Sequence, residues 1–102
     1  MVQFVLEHLG ELRTLCRKFH VAELYLFGSA TNDRFKPDTS DLDFLVHFAP
    51  MPPFEHADAY WGLISALEGL FNRRVDLVDE RAIKNPYFRE EVEETRVKLY
   101  AA

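Results

Sequence analysis

Leu24-Tyr25-Leu26-Phe27-Gly28-Ser29 is followed, after eleven residues, by Asp41-Leu42-Asp43-Phe44-Leu45. An apolar run halted by glycine reads as a buried strand meeting a turn. The glycine lets backbone pass close to a ligand, and the amides after it can open a short helix whose N-terminus faces an anion. A plain strand-to-helix turn with Ser29 as N-cap would look the same from these two residues alone. The second segment lies where a polar loop becomes a strand, and residues two apart on a strand share a face, so Asp41 and Asp43 stand side by side. Adjacent carboxylates raise each other's pKa, and an apolar strand opposes their ionisation unless a cation neutralises them. Asp41 taken singly could simply cap the loop.

Upstream, Val5, Leu9, Leu12, Cys16 and Phe19 recur at steps of four and three, which predicts an amphipathic helix over residues 2–19. Val21 to Phe27 is the first strand. The polar stretch between Ser29 and Asp41, broken by Pro37, predicts a short helical turn and then a loop. Leu42 to Phe48 is nearly continuous in apolar residues, as a strand buried on both faces is, and Pro50, Pro52 and Pro53 end it. Phe54 to Phe71 returns to helical spacing, with Tyr60, Leu63, Ile64, Leu67, Leu70 and Phe71 on one side. Val75 to Val78 is a third short strand, and the remainder from Asp79 reads as charged and helical apart from Asn85 and Pro86. This order predicts an α/β (α+β) fold, a small mixed β-sheet flanked by helices that pack on one side of it.

The totals agree with a single domain over residues 1–102. A hydrophobic fraction of 48% can fill a core. The formal net charge of −5 repels a phosphate backbone, which argues against stable binding of duplex nucleic acid, although a divalent metal can stand between protein carboxylates and nucleotide phosphates. The lone Cys16 and the expected lack of a secretory leader fit a cytoplasmic protein. No apolar run approaches the roughly 18 to 20 residues that cross a bilayer, so no membrane association is expected.

A third carboxylate, Asp76, sits inside Val75-Asp76-Leu77-Val78. If the second and third strands are neighbours, Asp41, Asp43 and Asp76 converge on hard divalent cations, and magnesium takes oxygen ligands of this kind while sharing substrate phosphates. The set then reads as a two-metal site for phosphoryl transfer from a nucleoside triphosphate. Ser29 and the backbone after Gly28 would hold the β- and γ-phosphates, and Asp76 would act as base or second-metal ligand.

Taken together, the Gly28-Ser29 segment, Asp41-Leu42-Asp43-Phe44-Leu45 and Val75-Asp76-Leu77-Val78 resemble the signature of the DNA polymerase beta-like nucleotidyltransferase superfamily. The length, and the stretch from Asn85-Pro86-Tyr87-Phe88-Arg89 to Leu99-Tyr100, resemble the minimal nucleotidyltransferases that prokaryotes encode beside a HEPN-domain protein. The resemblance implies the polymerase-beta-like nucleotidyltransferase fold over nearly the whole chain. It implies Gly28 and Ser29 as the nucleotide-gripping pair, Asp41 and Asp43 as metal ligands, Asp76 as the third carboxylate, two Mg2+ ions, and ATP as substrate. It also implies a partner, a HEPN ribonuclease toxin that some such proteins silence by transferring AMP onto a tyrosine and others by binding alone. Many relatives carry arginine directly after the Gly-Ser pair, where this chain has Ala30, leaving Arg34 or Lys36 for a phosphate contact.

The other chemistry-bearing residues read as structural. His8, His20, His47 and His56 lack a zinc-site spacing. Trp61, Tyr60 and the phenylalanines read mainly as core, and Glu90, Glu91, Glu93 and Glu94 as a solvated helix face that could also dock a basic toxin surface.

Overall fold

A computed structural model describes residues 2–32 and 34–102. Asp33, inside the predicted loop, lies outside the described residues. The strands are β1 (Val21–Phe27), β2 (Leu42–Phe48), β3 (Val75–Asp79) and β4 (Val97–Ala101). They form one sheet in the order β3-β2-β1-β4, with β2 and β3 parallel and the other pairs antiparallel. The helices are α1 (Gln3–Leu6), α2 (Leu9–Lys18), α3 (Pro53–Phe71) and α4 (Pro86–Thr95), with 3-10 turns at Gly28–Thr31 and Glu80–Ala82.

Strand alternation sorts the core into two clusters. Leu24 and Leu26 of β1, Leu42, Phe44 and Val46 of β2 and Leu77 of β3 pack with Leu12 and Cys16 of α2 and Leu63 and Leu67 of α3. Burial pushes the Cys16 thiol up to about 12, so it behaves as a small apolar side chain there. The opposite face carries Phe27 and Leu45 under Val92 of α4, with Tyr25, Val78, Ile83 and Phe88 around them. Helices therefore flank both faces, not one as the sequence suggested, because α4 brings its own apolar side to the face that also bears the acids.

Two further expectations are corrected. The single helix over residues 2–19 breaks at Glu7 and His8. The His8 ring Nδ1 lies 2.6 Å from the Phe4 carbonyl oxygen, the acceptor that a continuous helix would give to the His8 N–H, and that N–H turns to Val5 O at 3.1 Å. The final segment is not helical throughout: after Thr95 the chain enters β4, which pairs antiparallel with β1. The 3-10 turn after Phe27 and the strand bounds of β1 and β2 follow the sequence reading.

Candidate active site

Each acid reaches its place for a local reason. Leu42 and Phe44 turn into the α2/α3 core with no exposure, so Asp43 between them must face the other side of the sheet. There Asp43 is in register with Phe27 on β1 and with Asp76 on β3. Residues in register on neighbouring strands share a face about 5 Å apart. The end of β1, Asp43 and Asp76 thus form a row across three adjacent strands. Asp41 is exposed on the loop just before β2, and Asp76 is also exposed.

Gly28 stands beside that row. Its φ is +74°, and a Cβ placed on it would come within 2.6 Å of Asp43 Oδ2, so only glycine lets the carboxylate sit there. The Gly28 N–H donates to Thr95 Oγ1 at 3.0 Å, and the Thr31 hydroxyl donates to Gly28 O at 2.7 Å, which fixes the turn from both sides. The 3-10 turn has no side-chain cap, so Ser29 is not used as the N-cap. Gly28, Ser29, Asn32 and Arg34 line a cleft of about 420 Å³ opposite Glu91, Glu94 and Thr95 of α4. Ala30 is fully buried in the α2/α3 core, which leaves no room for an arginine at this position. Arg34, exposed, is the cation that lines the cleft.

Burial pushes the Asp43 carboxyl up to about 6, and the negative charges of Asp76, Asp41 and Glu91 push it the same way. A donor set of oxygens under mutual repulsion suits a hard divalent cation, whose charge would relieve it. As the side chains stand, no three His, Cys, Asp or Glu residues form a ready metal-holding group among the described residues. Asp41 and Asp76, both exposed, would have to turn toward Asp43 to share an ion.

The structure thus brings together Gly28 with Asp43, Asp43 with Asp76, and Ser29 with Arg34. Thr95 and Asn32 gave no signal in the sequence. Glu91 and Glu94 are exposed, as a solvated face requires, yet they also wall the cleft. Trp61, read as core, is 66% exposed; it falls outside the Tyr60-Leu63-Leu67 stripe, and that was the signal for it. His56 pairs with Asp79, its Nε2 2.7 Å from Oδ2.

A small mixed sheet bearing a row of acids beside a glycine-serine turn defines a class of phosphoryl-transfer domain. The nucleotidyltransferase domain family matches residues 10–99, and this chain belongs to that family. It is similar to a candidate protein adenylyltransferase of Methanocaldococcus jannaschii, 34% identical over 82 residues that cover 80% of each protein. Among solved structures it resembles a toxin-antitoxin structure with AMP-PNP, with a TM-score of 0.70 and 25% identity over 92% of this chain and 73% of that one. It shares its fold with a complex of a tri-AMPylated Shewanella oneidensis HEPN toxin and an MNT antitoxin, at a TM-score of 0.65 and 23% identity over 95% and 72% of the two chains.

Proposed function

We propose that this chain is a magnesium-dependent adenylyltransferase that moves AMP from ATP onto a tyrosine of a HEPN ribonuclease toxin and acts as its antitoxin. The observation that carries the reading is the row formed by the end of β1, Asp43 and Asp76 across three neighbouring strands, with the Gly28 turn packed beside Asp43. That order supports a phosphate grip at Gly28, a metal ligand at Asp43 and a base at Asp76, as an in-line displacement would use them. Kinship to proteins named for adenylyl transfer and for toxin-antitoxin pairing supports the substrate and the partner.

In this scheme the Gly28-Ser29 turn and Arg34 bind the β- and γ-phosphates. Asp41, Asp43 and Asp76 are the residues that would hold magnesium, which when bound neutralises the triphosphate and acidifies the acceptor hydroxyl. The acceptor oxygen forms a bond to the α-phosphorus as the bond from that phosphorus to the bridging oxygen breaks. Pyrophosphate departs, and Asp76 takes the acceptor's proton. Asp43 is ionised at neutral pH and so available as a ligand, although its carboxyl lies well above the usual range.

The test is the intact mass of the HEPN protein encoded beside this one after incubation with the chain, ATP and magnesium, next to an Asp43→Asn control. A gain of one or more adenylyl groups that the control lacks is expected. A stable, toxin-silencing complex with no mass gain would replace transfer by neutralisation through binding alone.

A further inference from the structure

Between α3 and the outer edge of β3 lies a groove of about 550 Å³ that the scheme above leaves unused. It opens on the side of Asp76 away from β2 and Gly28, since β3 is the edge strand. Leu77, Val78 and Ala57 give it apolar lining, and Asp76 stands within it. The exposed indole of Trp61 forms a wall and meets the Tyr60 ring edge-on, at 5.2 Å and 85°. Tyr60 is itself fixed, donating its hydroxyl proton to Leu77 O at 2.6 Å, so the wall is preorganised.

We infer that this groove seats the acceptor, the aromatic ring of a tyrosine on a protein segment, with the phenolic oxygen brought to Asp76. The inference rests on the proposed function and adds the place and the chemistry of the acceptor. The phosphate cleft lies on the β1 side of Asp43, and in-line displacement requires the attacking oxygen to enter opposite the departing pyrophosphate, which is the β3 side. An apolar slot with an indole wall and a carboxylate fits a flat ring carrying a hydroxyl at its tip; an aliphatic hydroxyl would leave the indole uncovered. Phe54, 89% exposed and two turns before Trp61 on α3, extends the apolar surface for the chain around that tyrosine. The phenolic oxygen then attacks the α-phosphorus, its proton passes to Asp76, and pyrophosphate leaves.

Trp61 is the sole tryptophan, so the chain labelled with 5-fluorotryptophan reports on this groove alone. In the chain with its acids intact, the 19F signal should shift on adding the HEPN partner without nucleotide and stay in place on adding magnesium with a non-hydrolysable ATP analogue. In the active chain, Trp61→Ala should raise KM for the partner by about tenfold, with kcat and the Kd for ATP moving less than about twofold, and Trp61→Phe should restore most of the loss. An unchanged KM for the partner, or a signal that answers the analogue and not the partner, overturns the inference; the second result would assign the groove to the adenine ring. Transfer with a silent 19F signal removes the groove and leaves the proposed function standing. A shifted signal without transfer keeps the docking groove and removes the reaction, and silence in both overturns both.

Discussion

The Asp43 carboxylate occupies the space that a side chain on Gly28 would need: Oδ2 lies 2.6 Å from the position of a Cβ there, and Gly28 holds a φ of +74°. Asp43 on β2 and the glycine of the turn after β1 are therefore one device. The turn can pass next to the sheet only without a side chain, and the carboxylate can reach the turn only because none is present.

Gly28→Ala should accordingly damage both. The left-handed backbone costs about 1 kcal/mol for alanine, and the carboxylate must also move. On the proposed mechanism, a shift of about 1 Å in Asp43 lowers transfer by about a hundredfold. Thermal unfolding and the mass-based transfer assay measure the two effects. Gly69→Ala on α3, where nothing lies within 4 Å of the added carbon, is the control and should stabilise by roughly 0.5–1 kcal/mol. Full transfer by the Gly28→Ala protein would dissociate the turn from the chemistry.

Asp43 should weaken the fold at neutral pH. Its carboxyl is raised from 3.8 to about 6, so the folded state prefers the neutral acid; the stability this confers is complete below about pH 4 and is lost as pH rises through 6. Asp43→Asn keeps the shape without the charge. It should melt higher than the parent at pH 7.5, by on the order of 1 kcal/mol or roughly 5 °C after allowance for solvent screening, and no higher near pH 4. A melting difference independent of pH would sink the assignment of strain to this group.

Magnesium should reverse that penalty. An ion shared by Asp43 and its neighbours competes with the proton, so the rise in Tm on adding magnesium should be larger at pH 7.5 than at pH 5 and small in Asp43→Asn. At ten times Kd the gain is about 1.4 kcal/mol. Calorimetric scans with magnesium and with EDTA give the comparison, and equal shifts in parent and variant would place the ion elsewhere.

Much of this arrangement was legible beforehand, because the informative residues break a pattern. Asp43 and Asp76 stand out in apolar strands, and pleat alternation alone puts Asp43 opposite the core that Leu42 and Phe44 enter. Their pairing needed the sheet order, which no local pattern encodes. The break at His8 depends on which donor wins the Phe4 carbonyl, a choice that apolar periodicity does not register. β4 is a short, half-buried edge strand that directly follows the acidic run of α4, so its Val97-Lys98-Leu99 alternation is too brief to outweigh helical charge spacing. Glu91 reads as solvent-facing because it is exposed; that it also looks across at Asp43 follows from Val92, its neighbour, being the residue that docks α4 on Phe27 and Leu45.

Thr95 is the residue through which that docking reaches the Gly28 turn. Its hydroxyl donates to Glu91 O at 3.1 Å, a bond that aims the free lone pairs outward, and one of them accepts the Gly28 N–H at 3.0 Å. Thr95→Val keeps the volume and removes both bonds, leaving a half-buried N–H unpaired at a cost of about 1–2 kcal/mol. With Gly28 no longer held from the α4 side, the Kd for Mg-ATP should rise about tenfold, because a turn that must be ordered on binding charges its ordering to the ligand. Thr95→Ser separates hydroxyl from methyl: it should recover ATP binding to within about twofold of the parent while showing whatever packing loss the missing methyl brings. Isothermal titration with a non-hydrolysable ATP analogue and magnesium reads the affinity, and chemical denaturation reads the stability. If Val and Ser behave alike in the titration, the Gly28 N–H does not depend on this bond, and α4 supports the turn through Val92 alone.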